Sequence, residues 1–200
     1  MIVGVLALQG GVEEHIAALE ACGIEPRKVR LPKDLKDLDG IIIPGGESTV
    51  IDKLARNFEI ADPLSQQIHA GLPVFATCAG LIYMAKHLEN PAKDQRTLEM
   101  MDIVVRRNAF GAQCESFDTS VDISWGGESF PQVQASFIRA PIVTAFGVEI
   151  EPIAVLGNGD VVGVKQGRNI ALSFHPEETG DFRIHKAWLE MIVKGAEQVI

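Results

Sequence analysis

The 200 residues carry 46% hydrophobic and 22% charged side chains, a balance that suits one globular domain able to bury about 70% of its unfolded surface without staples. A formal charge of −9 with scattered Lys and Arg argues against a nucleic-acid backbone as partner, and no apolar run approaches the roughly 18 residues of a membrane span. Cys22, Cys78 and Cys114 are odd in number, far apart and without a C-x-x-C pair, which speaks against both a disulfide framework and a zinc site.

The chain opens directly into Ile2-Val3-Gly4-Val5-Leu6-Ala7-Leu8, a strand pattern without a basic leader or cleavage site, so a reducing cytoplasmic location is expected. After Gln9-Gly10-Gly11, a helix is predicted over 12–22. Val12, Ile16, Leu19 and Cys22 recur at helical spacing, Glu13 and Glu14 occupy the first turn, and Gly23 ends it. A short strand near 27–31, a polar stretch over 33–39 and the apolar strand Gly40-Ile41-Ile42-Ile43 come next. That strand breaks at Pro44-Gly45-Gly46-Glu47-Ser48, and helices are predicted over 49–57 and 63–70. Val74-Phe75-Ala76 reads as a strand covered on both faces, turning at Thr77-Cys78-Ala79-Gly80 into a helix through 81–86.

From 99 to 173 strand patterns dominate, at 101–105, 121–125, 133–138, 148–156, 161–165 and 170–174, with turns at Gly126-Gly127 and Gly157-Asn158-Gly159-Asp160. A closing helix over 182–199 places Ile184, Ala187, Trp188, Met191, Ile192 and Ala196 on one face. The order predicts a single α/β domain over 1–200. Its core is a flavodoxin-like, three-layer, mostly parallel sheet with helices on both faces, and the late strands form an antiparallel extension. Ligands in such sheets collect at the carboxyl ends of the strands, which brings the loops at Gln9–Gly11, Gly45–Ser48 and Thr77–Gly80 to one edge.

Cys78 stands where a strand becomes a helix, and unpaired N–H groups there favour a thiolate. The pattern is the cysteine counterpart of the G-x-S-x-G elbow, with Ala76 in place of the first glycine. A buried, inert cysteine is the commoner use of the residue. The segment His175-Pro176-Glu177, at the end of the last predicted strand, supplies what a nucleophile needs: a base and a group to orient it. Pro176 favours an extended His175, which would point both side chains to the same side. Gly45-Gly46 lacks the spacing of a dinucleotide or phosphate loop, but it can present a backbone N–H to a tetrahedral oxyanion together with the N–H of Ala79. His15, His69 and His185 read as ordinary residues of amphipathic helices and His87 as one near a helix end; none has a ligand-like partner at i+3 or i+4, so no metal site is expected. Arg107 and Arg139 each stand beside a strand end and a small-residue turn, an arrangement suited to gripping a carboxylate, although solvated surface charge is the default for arginine.

Taken together, Gly4–Gly10, Glu14-His15, Pro44–Thr49, Thr77–Ile82, Arg107–Gly111, Phe137–Pro141 and Phe174–Glu177 resemble the glutaminase subunits of pyridoxal 5'-phosphate synthase, which are class I glutamine amidotransferases. Ala76 and Ala112 depart from the glycine and arginine usual in that family. The resemblance implies hydrolysis of L-glutamine to glutamate and ammonia through a thioester on Cys78, with His175 as base and acid, Glu177 as its orienter, and no cofactor. It also implies a substrate site of Gly46, Glu47, Ser48, Arg107, Ile138 and Arg139, with Gly46 and Ala79 as oxyanion donors. Because the whole length is used by the glutaminase fold, the ammonia would pass to a separate barrel-shaped synthase subunit in a hetero-oligomer. Two other classes remain compatible with parts of the pattern. A cysteine peptidase would share the elbow and the histidine, and a non-catalytic module on a flavodoxin-like sheet would explain the glycine loops alone.

Overall fold

A computed structural model describes residues 1–110 and 116–197 of the chain. Its elements run β1 (Val3–Leu6), α1 (Val12–Ala21), β2 (Pro26–Val29), β3 (Gly40–Ile43), α2 (Ser48–Asn57), α3 (Ala61–His69), β4 (Val74–Thr77), α4 (Ala79–Met84), β5 (Ala85–Leu88) and β6 (Met101–Arg106). Then follow β7 (Ser116–Trp125), β8 (Glu128–Ile138), β9 (Ile142–Phe146), β10 (Glu151–Val155), β11 (Val161–Gln166), β12 (Asn169–Leu172) and α5 (Arg183–Glu197), with 3-10 turns at Pro32–Leu35 and Pro176–Glu178.

One sheet carries the described strands in the order β2-β1-β3-β4-β12-β11-β10-β7-β8, with β5, β6 and β9 joined alongside β11. Neighbours from β2 to β12 are parallel, and β12-β11-β10-β7-β8 are antiparallel. Alternation along the buried strands builds the three layers. In β3, Ile41 and Ile43 join the core beneath α2 and α3, whereas Ile42 faces the other way, toward Leu19 of α1 and Ile184, Trp188 and Ile192 of α5. Phe75 in β4 repeats the pattern, with Val74 and Ala76 on the opposite face. Strands with both faces covered must be apolar throughout, and β1, β3 and β4 are buried at every residue.

Register fixes the site. Ile43 pairs with Ala76, and Leu172 with Thr77, so β3, β4 and β12 end level with one another and release their loops at one edge. From the antiparallel side, β8 reaches the same edge through a bridge between Ser136 and His175, where the His175 N–H donates to the Ser136 carbonyl at 2.9 Å.

Several local expectations are corrected. The helix after Cys78 stops at Met84 rather than running to Lys86, and the chain continues as β5, so His87 lies in a strand. The strand expected over 148–156 is shortened to Glu151–Val155, and β9 was not anticipated. Past His175 the chain does not stay extended: Pro176, whose fixed φ suits the first position of a helical turn, opens a 3-10 turn through Glu178. Ala112 and Cys114 lie outside the described residues, as do Gly111 and residues 198–200.

Candidate active site

Cys78 follows β4 and caps α4 with φ 46° and ψ −100°, a positive-φ conformation that is costly for a residue with a side chain. The strand and α4 are held close on either side of it. Gly80 has no room for a side chain, because a Cβ there would collide with the carbonyl of Ile43. A strained elbow of this kind turns the nucleophile out of the sheet toward the loops. The Cys78 N–H is fixed by the Leu172 carbonyl at 2.7 Å, and its thiol points to the Ile138 carbonyl at 3.8 Å, within reach of the His175 imidazole.

His175 Nδ1 lies 2.8 Å from Glu177 Oε1, which leaves Nε2 for the cysteine. Although the backbone turns between them, a carboxylate two residues ahead in a 3-10 turn still folds back onto the ring. Burial pulls the imidazole toward neutrality, but hydrogen bonds and charge from Cys78 and Glu177 win and push it up to about 10. The Glu177 carboxyl is fully enclosed, which alone would raise it; the charges and hydrogen bonds of His15 and His175 instead hold it well below the usual carboxylate range. Cysteine, imidazole and carboxylate thus stand in line, with a raised imidazole backed by a lowered carboxyl.

A cavity of about 250 Å³ opens over these three, lined by Gly46, Glu47, Ser48, Cys78, Arg107, Ile138, Arg139 and His175, together with Gln9, Gly11, Gly45, Ile82, Asn108 and Glu178. All the substrate-binding candidates therefore meet in one place. Ala79 lies beneath it as the first residue of α4, where an N–H has no intrahelical acceptor. Gly45 has to be glycine, since a Cβ would run into the His175 ring. Glu47 caps α2 by accepting from the Thr49 backbone N–H at 3.5 Å and also takes the Thr49 hydroxyl at 3.1 Å, while its own N–H is held by Gln9 Oε1 at 2.7 Å. Arg107 lies 3.6 Å from Glu47 Oε1 and donates to Gln95 Oε1 at 3.0 Å, and Gln95 in turn donates to the Ser48 hydroxyl at 2.9 Å. Arg139 stands at the end of β8 with φ 44°, a second positive-φ residue on the rim.

The sequence brings the Gln9–Gly11 loop to this edge but does not single out the side chains of Gln9, which holds Glu47, and Gln95, which joins Arg107 to Ser48. His15 and His185 are a correction. They are fully buried and meet one another at 3.2 Å, and His15 Nε2 lies 3.3 Å from Glu177 Oε1. A signal was present, since His15 falls on the apolar stripe of α1 between Val12 and Leu19, where a polar ring must find polar company.

A family model described as the SNO glutamine amidotransferase family matches residues 5–194. Over 200 residues, covering all of both proteins, the chain is 71% identical to pyridoxal 5'-phosphate synthase subunit PdxT of Corynebacterium glutamicum (strain R). It is 53% identical over 197 residues to the subunit of the same name from Cutibacterium acnes, covering 96% of each. Among solved structures, one described as a glutamine amidotransferase superposes with a TM-score of 0.88 at 44% identity, covering 96% of this chain and 99% of the other.

Proposed function

The chain belongs to the SNO glutamine amidotransferase family, and on that premise we propose that it hydrolyses L-glutamine through a thioester on Cys78 and hands the ammonia to a pyridoxal 5'-phosphate synthase subunit. The observation that carries the assignment of roles is the 2.8 Å contact between His175 Nδ1 and Glu177 Oε1, directly behind the strained Cys78 elbow.

In the first half-reaction His175 takes the thiol proton and the Cys78 sulfur attacks the carboxamide carbon. Negative charge then moves to the amide oxygen, where the N–H groups of Ala79 and Gly46 stabilise it. Collapse of the tetrahedral adduct breaks the C–N bond as His175 returns its proton to the nitrogen, and ammonia leaves. Water, deprotonated by the same imidazole, then attacks the thioester carbonyl. The second adduct expels the Cys78 thiolate, which is reprotonated, and glutamate is released. Throughout, Glu177 holds the Nδ1 proton and supports the imidazolium. Glu47, Ser48, Arg107, Ile138 and Arg139 hold the amino-acid end of glutamine, with the guanidinium groups on its carboxylate. A cavity of about 250 Å³ whose walls carry Gln9, Glu47, Ser48, Arg107 and Arg139 supports a free amino acid over an extended peptide.

The single sheet shared by both halves supports a single glutaminase domain. The name of the closely similar relatives supports the partner, which we take to be a barrel-shaped synthase joined to this chain in a cytoplasmic hetero-oligomer. Mass spectrometry after exposure to a glutamine-like electrophile tests the nucleophile: one adduct on Cys78 is expected, and none in Cys78→Ala, which should lose glutamine turnover while keeping its fold. An adduct on Cys22, or parental turnover by Cys78→Ala, overturns the assignment.

A further inference from the structure

Behind the triad a buried hydroxyl carries more bonds than packing requires. Thr77 Oγ1 is 3.0 Å from the Gly45 N–H, 3.0 Å from His15 Nε2 and 3.4 Å from Glu177 Oε1. A hydroxyl has one proton to give and two lone pairs to fill. The Gly45 N–H can only donate and an ionised carboxylate can only accept, so the Thr77 proton goes to Glu177. His15 Nε2 must therefore donate to the remaining lone pair, and it also lies 3.3 Å from Glu177 Oε1. With Nε2 protonated, the other ring nitrogen of His15, Nδ1, meets His185 Nε2 at 3.2 Å. His185 Nδ1 has no partner among the described residues. Burial and the adjacent His15 pull His185 down to about 3, consistent with a neutral ring.

We propose that His15 and Thr77 are positioning residues that clamp the triad carboxylate and the Gly45 peptide about one buried hydroxyl, aligning the base and the oxyanion loop together. The clamp rests on the Cys78–His175–Glu177 reading but is separable from it. Neither residue lines the pocket, so neither touches glutamine. His15 holds the same carboxylate oxygen that orients His175, and Thr77 ties that oxygen to the segment carrying Gly46. Loosening the clamp should spoil the transition state while leaving ground-state binding alone. The three anchors come from α1, from the last residue of β4 and from the β3–α2 loop, so the clamp also fixes how three elements meet beneath the site.

Steady-state glutamine hydrolysis by the full chain together with its synthase partner, paired with thermal melts, tests the clamp. His15→Leu and Thr77→Val delete the bonds, while His15→Gln and Thr77→Ser restore a donor or a hydroxyl. The deletions should lower kcat about 10- to 100-fold, the scale of small misplacements of catalytic groups, with KM near the parental value. The restoring variants should recover most of kcat. Should His15→Leu fail to fold, the near-isosteric Thr77→Val decides. Folded deletion variants with parental kcat overturn the clamp, as does a loss that tracks melting temperature and is not rescued by Gln or Ser. If Cys78→Ala keeps turnover, the triad reading falls and the clamp with it; if Cys78→Ala is inactive and the deletions are not impaired, only the clamp falls.

Discussion

His175 is held from both sides, and the two supports do different chemistry. On the proposed mechanism Cys78 exchanges a proton with it, whereas Glu177, 2.8 Å away, fixes which nitrogen carries the other proton and steadies the positive ring. An imidazole that loses its orienter still visits the productive tautomer, but no second imidazole lines the cavity among the described residues to take the thiol proton. His175→Asn should therefore lose the whole of the general acid–base contribution, about 10²–10⁴-fold, and Glu177→Gln should lose less. Rates of glutamine hydrolysis for the two variants at saturating substrate check this division, and equal losses would contradict it. Glu177→Gln also places an amide beside His15 and Thr77. The orientation of that amide is set by the same hydroxyl that holds Gly45, so a loss in Glu177→Gln that does not deepen further in combination with Thr77→Val would mark the two as one unit.

The closing helix α5 is the element on which the sheet most visibly depends. Trp188 is fully buried, its ring centroid 5.7 Å from that of Phe75 in β4, and β3 must begin with Gly40 because a Cβ there would approach Ile192 Cδ1 to 2.7 Å and the indole to 3.1 Å. Trp188→Ala should destabilise the protein by about 3–5 kcal/mol, read as a drop in thermal or denaturant midpoint, while glutamine turnover per folded molecule stays near the parental value. Trp188→Phe should cost less, since the indole N–H it removes has no partner among the described residues. The periodicity of α5 was plain in the sequence, as were the elbow, the glycine pair and the histidine segment, because each is carried by neighbouring residues. What the sequence concealed was assembled across distance. His15 meets Thr77 across 62 positions and His185 across 170, so spacing along α1 or α5 could reveal a polar ring on an apolar face but not its partners. β9 escaped notice because its five residues, between Pro141 and Gly147, hold too few alternations to stand out, and α4 ended early because helix-forming residues in 81–86 yielded to the pairing of β5 with β6.

Across the whole molecule, the orientation of the peptide that would hold the oxyanion is tied to the exposed 9–11 turn by a backbone hydrogen bond. The Gly45 carbonyl accepts the Gly11 N–H at 3.0 Å, and Gly45 C=O and Gly46 N–H share a peptide plane in which they point opposite ways, so that bond decides where the Gly46 N–H points. Gly10, exposed and at φ +98°, is pressed so close to the Gly45 carbonyl that no side chain fits, which makes the 9–11 turn a lever on that plane. Glycine on both sides of the peptide opens both orientations, and turning it over exchanges a single backbone hydrogen bond worth about 1 kcal/mol net. The Gly45 N–H bond to Thr77 belongs to the preceding peptide and can survive the change, so the triad need not be disturbed. A partner docked on the exposed turn needs to favour one orientation by only about 1.4 kcal/mol to change the population ratio tenfold. Ammonia released with no acceptor is lost, and a switch of this size is enough to prevent that. The chain alone should therefore hydrolyse glutamine slowly, and titration with the synthase subunit should raise kcat at least tenfold until the subunits are saturated, with Cys78→Ala inactive at every point. A purified chain that is already fast, and whose rate does not change as synthase is added, would show that the Gly45–Gly46 peptide is set by the fold and not by the partner.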